Sequence, residues 1–134
     1  KNQHFRKLIR KYRAGFIKTS EEAVGLPWGV WGNSEVGHMT MGAGRVCWQT
    51  LEIINQAISD NSFFTNPVIL QVISWVKSQN SALHLMGLLS DGGIHSHINH
   101  LLALLKMVKS YSLSKTYLHL FLDGRDSPPT CLLY

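Results

Sequence analysis

Hydrophobic positions alternate between helical and strand periods along the body of the chain. A period close to 3.6 predicts one helix over residues 46–58, and a second from Pro67, which suits a first helical turn, to about residue 78. A continuous apolar run over residues 82–89 predicts a buried strand, and a third helical stripe follows over residues 94–108. Residues 116–122 predict a second strand. This alternating order of helices and strands indicates an α/β fold with a parallel sheet.

A polar loop follows each of the two predicted strands. Residues 90–93 (SDGG) come after the first strand, and residues 123–126 (DGRD) come after the second. The carboxyl ends of parallel strands meet at one edge of a sheet, and open α/β folds bind their ligands at that edge. We therefore expect the two loops to contribute to one site.

The composition is that of a packed domain. The chain has 134 residues, of which 45% are hydrophobic and 16% are charged, and it contains no apolar run long enough to cross a membrane. Its formal charge of +5 is unevenly distributed. Residues 1–20 contain seven basic side chains and no acidic one, whereas the rest of the chain has six basic and eight acidic residues. This distribution argues against a nucleic-acid-binding face on the body of the protein.

The basic stretch at residues 1–20 has three interpretations. It is a solvated tail, a transit-type peptide, or an internal piece of a longer reading frame. The absence of an initial methionine favours the last interpretation. Cys47 and Cys131 are too few for a disulfide framework and lack the spacing of a zinc site, so we expect a reducing, intracellular compartment.

A glycine-rich segment over residues 25–45 carries the most unusual chemistry. Asn33 and Ser34 stand between glycines, directly before a stretch that we predict to be helical. Backbone amides at the start of a helix attract anions and stabilise a developing alkoxide, so Ser34 is a candidate nucleophile. The alternative is that Ser34 only caps the helix. The spacing alone leaves both roles open.

Three blocks of the sequence resemble the cofactor-independent phosphoglycerate mutases. The blocks are VGLP, GNSEVGH and GAGRV within residues 24–46, GLLSDGGIHSH at 87–97, and FLDGRDSPP at 121–129. They occur in the family's order, and the resemblance runs from about Thr19 to Pro129. We therefore expect the basic stretch to lie mostly outside the resemblance.

The resemblance implies an activity and a mechanism. Family members interconvert 3-phosphoglycerate and 2-phosphoglycerate in glycolysis without requiring 2,3-bisphosphoglycerate. The serine at the position of Ser34 takes the phosphoryl group, glycerate reorients, and the group returns to the other hydroxyl. In the family site this serine also binds one of two divalent metal ions, manganese or alternatively magnesium. The resemblance further implies a cytoplasmic enzyme, often monomeric, whose partner is a small molecule rather than nucleic acid or membrane.

The other two blocks imply the substrate-binding residues. His95 matches a histidine that contacts the phosphorylated intermediate, a role that suits the start of a helix after residues 92–93, although capping is the alternative. Arg125 and Asp126 match the substrate-binding pair, in which a guanidinium fork holds a carboxylate or phosphate. Arg125 has an alternative as well, pairing only with a neighbouring aspartate. His97 and His100 have the spacing of a metal pair, but we expect no metal site there, because a third ligand is not apparent.

The sequence departs from the family pattern in three places near Ser34. Trp28 and Trp31 stand where the family usually has a polar or acidic residue and a methionine, and Glu21 replaces a usual glycine. We expect the two large rings to alter access to Ser34.

The expected fold is a fragment of an alkaline-phosphatase-like domain followed by the start of an inserted α/β substrate domain. We divide the chain into the basic stretch at 1–20, a phosphatase-like part at 21–62, and the start of the substrate domain at 63–134. The family's remaining metal ligands and phosphate-binding cations have no counterpart in these residues. We therefore expect the isolated chain to lack mutase activity.

Two other functions compete with the mutase. The first is a non-catalytic remnant that binds phosphate or acts as an interaction module. The second is a phosphopentose mutase or an alkaline-phosphatase-type hydrolase, which does not account for the blocks at His95 and at residues 125–126.

Overall fold

The structure is a computed structural model that describes residues 2–128, so Cys131 and Pro129 lie outside the described residues. It divides into two compact units, Lys1–Trp48 and Gln49–Tyr134. The first unit contains helix α1 (Gln3–Lys11), a 3₁₀ turn (Glu21–Val24) and helix α2 (Ser34–Ala43). The second contains α3 (Thr50–Ser59), a 3₁₀ turn (Ser62–Thr65), α4 (Pro67–Ser78), β1 (Leu83–Leu89), α5 (Ile98–Ser110) and β2 (Thr116–Leu122).

The first unit has a small apolar core. Val24 and Val36 are its buried apolar residues among those described. Helix α1 buries none of its residues, and Phe5, Leu8 and Ile9 are each about half exposed. The basic segment therefore contains a regular helix rather than only extended chain.

The second unit is built on two parallel strands. β1 and β2 pair from Leu83 opposite Thr116 to Leu89 opposite Leu122, as the order of elements predicts. Ile73 and Val76 of α4 are buried, as are three residues of α5: Ala103, Met107 and Val108. An apolar cavity of about 190 Å³ is lined by α4, β1 and α5 together, so both helices pack on the same side of the first strand. This parallel arrangement confirms the predicted α/β fold.

Two helix starts differ from the prediction. The helix predicted from residue 46 begins at Thr50, where the carbonyl of Gln49 accepts the amide of Ile53. The helix predicted directly after Gly93 begins only at Ile98. Before it, the Ser96 hydroxyl donates to the carbonyl of Leu88 at 2.7 Å, which ties this segment to the end of β1. A hydrophobic period does not specify such polar contacts, and they decide where each helix begins.

No helix among residues 2–128 has both the length and the apolar character needed to cross a membrane.

Candidate active site

Ser34 is the first residue of helix α2 and does not cap it. The preceding residue, Asn33, is the N-cap, and its side-chain oxygen accepts the amide of Val36 at 3.1 Å. The hydroxyl of Ser34 is therefore not used to satisfy the start of the helix. Of the two roles that the spacing left open, the capping role belongs to Asn33.

The Ser34 hydroxyl faces His38, one helical turn further on. The Ser34 Oγ lies 3.1 Å from the His38 Nδ1, and the same nitrogen lies 2.6 Å from the Ser34 carbonyl oxygen. A carbonyl oxygen only accepts hydrogen bonds, so Nδ1 carries the proton. The hydroxyl therefore faces an N–H group, which stabilises negative charge on Oγ and cannot remove its proton. His38 is the last residue of the GNSEVGH block, and its i, i+4 spacing from Ser34 is the signal in the sequence that places the two side chains on one helix face.

The loop before α2 accommodates Glu21 in an uncommon conformation. Glu21 has a φ of +58°, in the left-handed region that glycine adopts without strain. The glycine that the family resemblance implies at this position would adopt this conformation without strain. The Glu21 carboxylate compensates by accepting the amide of Gly29 at 3.2 Å. The nearby rings of Trp28 and Trp31 are 81% and 88% exposed.

In the second unit, the loops after β1 and β2 are joined by hydrogen bonds between side chains. The Ser90 hydroxyl donates to Asp123 Oδ2 at 2.5 Å, and the Ser127 hydroxyl donates to Asp91 Oδ1 at 2.5 Å. Ser90, Asp123 and Ser127 are 3%, 8% and 6% exposed. The two loops therefore lie at the same edge of the sheet, where the parallel strands deliver them.

Asp123 also organises the turn that carries Arg125 and Asp126. Its Oδ1 accepts the backbone amides of Gly124, Arg125 and Asp126 at 2.7, 2.9 and 3.1 Å. The hydrogen bond from the Ser90 hydroxyl, together with those from the backbone amides, holds the pKa of Asp123 well below its ordinary value of 3.8. Asp123 therefore stays ionised at neutral pH.

This depressed pKa predicts an acid-sensitive contribution to stability. Because the folded pKa of Asp123 lies below 3.8, its contribution is complete above that value and is lost as the pH falls through the folded pKa. We expect the urea midpoint of the wild-type chain to fall more steeply between about pH 5 and about pH 2 than that of Asp123→Asn, which does not titrate. Parallel pH profiles of the two proteins would contradict this assignment.

The three predicted substrate-binding residues lie on these two loops. His95 Nε2 is 3.7 Å from Asp126 Oδ2, with the histidine side chain 71% exposed and the aspartate 18% exposed. Arg125 is exposed and forms no ion pair with Asp123 or Asp126, so its predicted alternative, pairing across the turn, does not occur between these described residues. The guanidinium and the imidazole are both open to solvent.

His95 does not lie at the start of a helix. Because α5 begins at Ile98, His95 precedes it by three residues, and His97 is the N-cap, its Nδ1 accepting the amide of Asn99. This corrects the expectation that His95 stands at a helix N-terminus, and it assigns the capping role to His97.

The two histidines with the spacing of a metal pair, His97 and His100, both have partners within the protein. His100 Nε2 donates to Asn55 Oδ1 at 2.8 Å, and burial, with the charge of His97, lowers the pKa of His100. His97 and His100 therefore have structural partners.

Close backbone contact between the two loops leads to a prediction for Gly92. A Cβ at this position would lie 2.6 Å from the carbonyl oxygen of Asp126. We expect Gly92→Ala to push the loops apart and to lower the free energy of unfolding by about 1–3 kcal/mol. Gly124→Ala is the matched control, because a Cβ there meets nothing within 4 Å. Urea unfolding measures the free energy of unfolding of both variants. Equal values for Gly92→Ala and Gly124→Ala would show that the backbone contact at Gly92 is not tight.

The metal ions implied by the family resemblance need more ligands than the described residues offer. No group of three or more histidine, cysteine, aspartate or glutamate side chains within residues 2–128 is arranged to hold a metal ion. Ser34 contributes a single hydroxyl, and the His38 nitrogen that faces it, Nδ1, carries a proton. These residues do not form a metal centre by themselves.

Comparison with known proteins identifies relatives along most of the chain. The family model described as "BPG-independent PGAM N-terminus" matches residues 54–133. The 2,3-bisphosphoglycerate-independent phosphoglycerate mutase 2 of Methanosarcina barkeri is 59% identical over 118 residues, which are 88% of this chain and 22% of that protein. The 2,3-bisphosphoglycerate-independent phosphoglycerate mutase of Moorella thermoacetica is 50% identical over 126 residues, 94% of this chain and 25% of that protein.

A solved structure agrees with these sequence relatives. A crystal structure of Leishmania mexicana phosphoglycerate mutase at low cobalt concentration matches with a TM-score of 0.69 and 32% identity, covering 95% of this chain and 24% of that one. The fold and the relatives together identify the class of protein to which the family belongs, the isomerases. The chain belongs to the family of 2,3-bisphosphoglycerate-independent phosphoglycerate mutases. It spans about a quarter of the length of the curated relatives it matches.

The alignments correct one expectation about the basic segment. With 94% of the chain aligned to the Moorella protein, most of residues 1–20 lie within the matched region rather than outside it. Four of the seven basic residues lie on helix α1, which is regular and exposed, and exchanges between charged residues cost little at such positions. The cluster of basic residues at 1–20 is therefore not a boundary of the region that matches the family.

Proposed function

We propose that this chain supplies the nucleophile and part of the substrate-binding surface of a phosphoglycerate mutase that works without 2,3-bisphosphoglycerate. The observation that carries the proposal is the joining of the two loops of the second unit, which puts the imidazole of His95 beside the carboxylate of Asp126. Arg125, on the same turn, leaves its guanidinium unpaired with either neighbouring aspartate. Exposed donors beside an acceptor suit glycerate, which has hydroxyls, a carboxylate and a phosphate.

In this proposal Ser34 forms the covalent intermediate. Its Oγ attacks the phosphorus of 3-phosphoglycerate, the bond from phosphorus to the substrate's 3-oxygen breaks, and the proton lost from Oγ ends on that oxygen as a hydroxyl. Glycerate turns, its 2-hydroxyl attacks the phosphoserine and loses its proton, and the bond from phosphorus to Oγ breaks, so that Oγ regains a proton and 2-phosphoglycerate is released. The His38 N–H and the amides at the start of α2 stabilise negative charge on Oγ during both transfers.

Arg125 binds an anionic group of the substrate, His95 contacts the phosphorylated intermediate, and Asp126 accepts hydrogen bonds from glycerate hydroxyls. Two divalent metal ions, manganese or magnesium, are part of the proposal for the complete protein, in which Ser34 is this chain's ligand. The described residues do not complete the site of these ions.

We also propose the division into a phosphatase-like part at residues 21–62 and a substrate domain from residue 63. We place the complete enzyme in the cytoplasm, where glycolytic substrates occur, acting on small molecules and not on nucleic acid or membrane. Its activity requires more than these 134 residues, since the relatives are about four times as long.

A chimera tests the function directly. The 126 residues aligned with the Moorella thermoacetica mutase replace their counterparts in that protein, giving a chimeric mutase. We expect the chimera to interconvert the two phosphoglycerates in a coupled enolase assay with manganese. We expect the isolated 134-residue chain to show no turnover above its Ser34→Ala variant.

Each arm can contradict the proposal. A folded chimera without activity favours a non-catalytic remnant that binds phosphate or another protein. Turnover by the isolated chain above the Ser34→Ala background would overturn its proposed inactivity.

A further inference from the structure

A chain of four hydrogen-bonded side chains, of which three are buried and Asp91 is exposed, links the loop after β1 to the loop after β2. It runs from Asp123 through Ser90 and Ser127 to Asp91, with oxygen separations of 2.5, 3.1 and 2.5 Å. Asp123 and Ser127 stand on either side of residues 124–126. The turn that carries Arg125 and Asp126 is therefore held at both of its ends by the opposite loop.

The direction of each hydrogen bond follows from the number of protons. A carboxylate only accepts, so the Ser90 hydroxyl donates to Asp123, and the Ser127 hydroxyl donates to Asp91. Each hydroxyl has one proton, so none remains for the contact between the two Oγ atoms, which is the longest of the three. Ser90 Oγ also accepts the amide of Gly92 at 3.0 Å. The Ser90 hydroxyl is therefore oriented by the acceptor Asp123 and by the donor amide of Gly92.

Asp123 uses its two oxygens for different loops. Oδ1 accepts the three amides of its own turn, whereas Oδ2 accepts the hydroxyl of Ser90. The first set of bonds shapes the turn, and the second fastens the turn to the loop that leads to His95. Burying these groups is unfavourable unless each has a partner, and a directed hydrogen bond fixes an orientation that an apolar contact leaves free.

We propose that Ser90 and Asp123 are positioning residues for substrate binding, which fix the turn carrying Arg125 and Asp126 against the loop carrying His95. The inference rests on the proposed function, because it assigns substrate binding to those three residues. Neither Ser90 nor Asp123 needs to touch the substrate, since both are buried. Their effect passes through the placement of the exposed groups.

The sharpest variant is Ser90→Ala in the full 134-residue chain. It removes the link between the loops and leaves the three amide bonds to Asp123 Oδ1 in place. We expect the amide of Gly92 to exchange with solvent at least about tenfold faster, because it loses its acceptor. The amides of residues 124–126 and of helix α5 should keep their protection. Affinity for 3-phosphoglycerate, followed by NMR titration, should fall about tenfold, as expected when a supporting hydrogen bond is removed.

Two further variants separate positioning from general destabilisation. Ser110→Ala is the matched control, since its hydroxyl bonds only to the carbonyl of Met107 near the end of α5, and its affinity should equal that of the wild type. Asp123→Asn keeps an acceptor for the turn amides and removes the charge that accepts the Ser90 proton. Asp123→Asn should lower the affinity for 3-phosphoglycerate while the amides of α5 stay protected from exchange with solvent. The positioning role therefore remains testable if Ser90→Ala unfolds.

The outcomes distinguish this inference from the proposed function. Loss of affinity in Ser90→Ala or Asp123→Asn with native protection of α5 supports the positioning role. If the wild type binds 3-phosphoglycerate and both variants bind it equally well, the positioning role is wrong and the proposed function stands. If the wild-type chain does not bind 3-phosphoglycerate, the assignment of these loops to substrate fails, and the positioning role fails with it.

Discussion

Replacing Ser34 by alanine in the chimeric mutase is expected to lower turnover by roughly 10⁴-fold or more, because the covalent route loses its nucleophile. The structure makes this variant informative, since Asn33 and not Ser34 caps α2. The Ser34→Ala protein should therefore keep the stability of the parent chimera. Turnover is measured by the coupled assay, and phosphorylation at Ser34 is measured by mass spectrometry after quenching with substrate.

Thr40→Val is the matched control in the same helix. Its buried hydroxyl oxygen has no hydrogen-bond partner among the described residues, so removing it should leave turnover unchanged. A Ser34→Ala chimera that retains a tenth of the parent turnover, or a phosphoryl group found on another residue, would contradict the nucleophile assignment.

The second large effect is expected for Arg125→Lys in the chimera. Lysine keeps the positive charge and loses the planar fork that binds a carboxylate or phosphate through two parallel hydrogen bonds. We expect kcat/KM to fall roughly 10- to 100-fold, the effect of about 1.5–3 kcal/mol for hydrogen bonds to a charged group. Because Arg125 makes no ion pair with Asp123 or Asp126, the change should not unfold the turn.

A separate measurement of kcat and KM shows which interaction is lost. If Arg125 binds substrate and transition state equally, KM rises and kcat is unchanged. Lys109→Arg at the exposed end of α5 is the control for exchanging one cation for another, and it should leave both constants at the parent values. An unchanged kcat/KM in Arg125→Lys would remove Arg125 from the proposed site.

Much of the fold follows from local patterns. The apolar run before Ser90 is short and continuous, and it has the length of a strand rather than a helix. The helical stripe after it must cross back over the sheet to begin a parallel partner, so β2 and its pairing with β1 could be expected from order alone. The same parallel order predicts that residues 90–93 and 123–126 lie at one edge of the sheet.

The start of α5 shows where local patterns are not enough. Ile94 continues the hydrophobic period of the helix, yet it is 63% exposed and lies outside it. The amide of Ile98 donates to the carbonyl of Ser90, and Ser96 donates to Leu88. These bonds join residues eight apart, which a period of 3.6 does not describe. They move His95 off the helix and onto the loop.

The sequence by itself determined the family, the order of elements and the chemical groups of the proposed site. These depend on residue identity and on short spacings, which can be read along the chain. Only the tertiary structure decided which groups perform which role: Asn33 caps α2, His97 caps α5, and Ser90 bonds to Asp123. The last of these contacts spans 33 positions. A hydroxyl and a carboxylate so far apart become partners only when parallel strands bring their loops together, because a hydrogen bond depends on distance and direction in space.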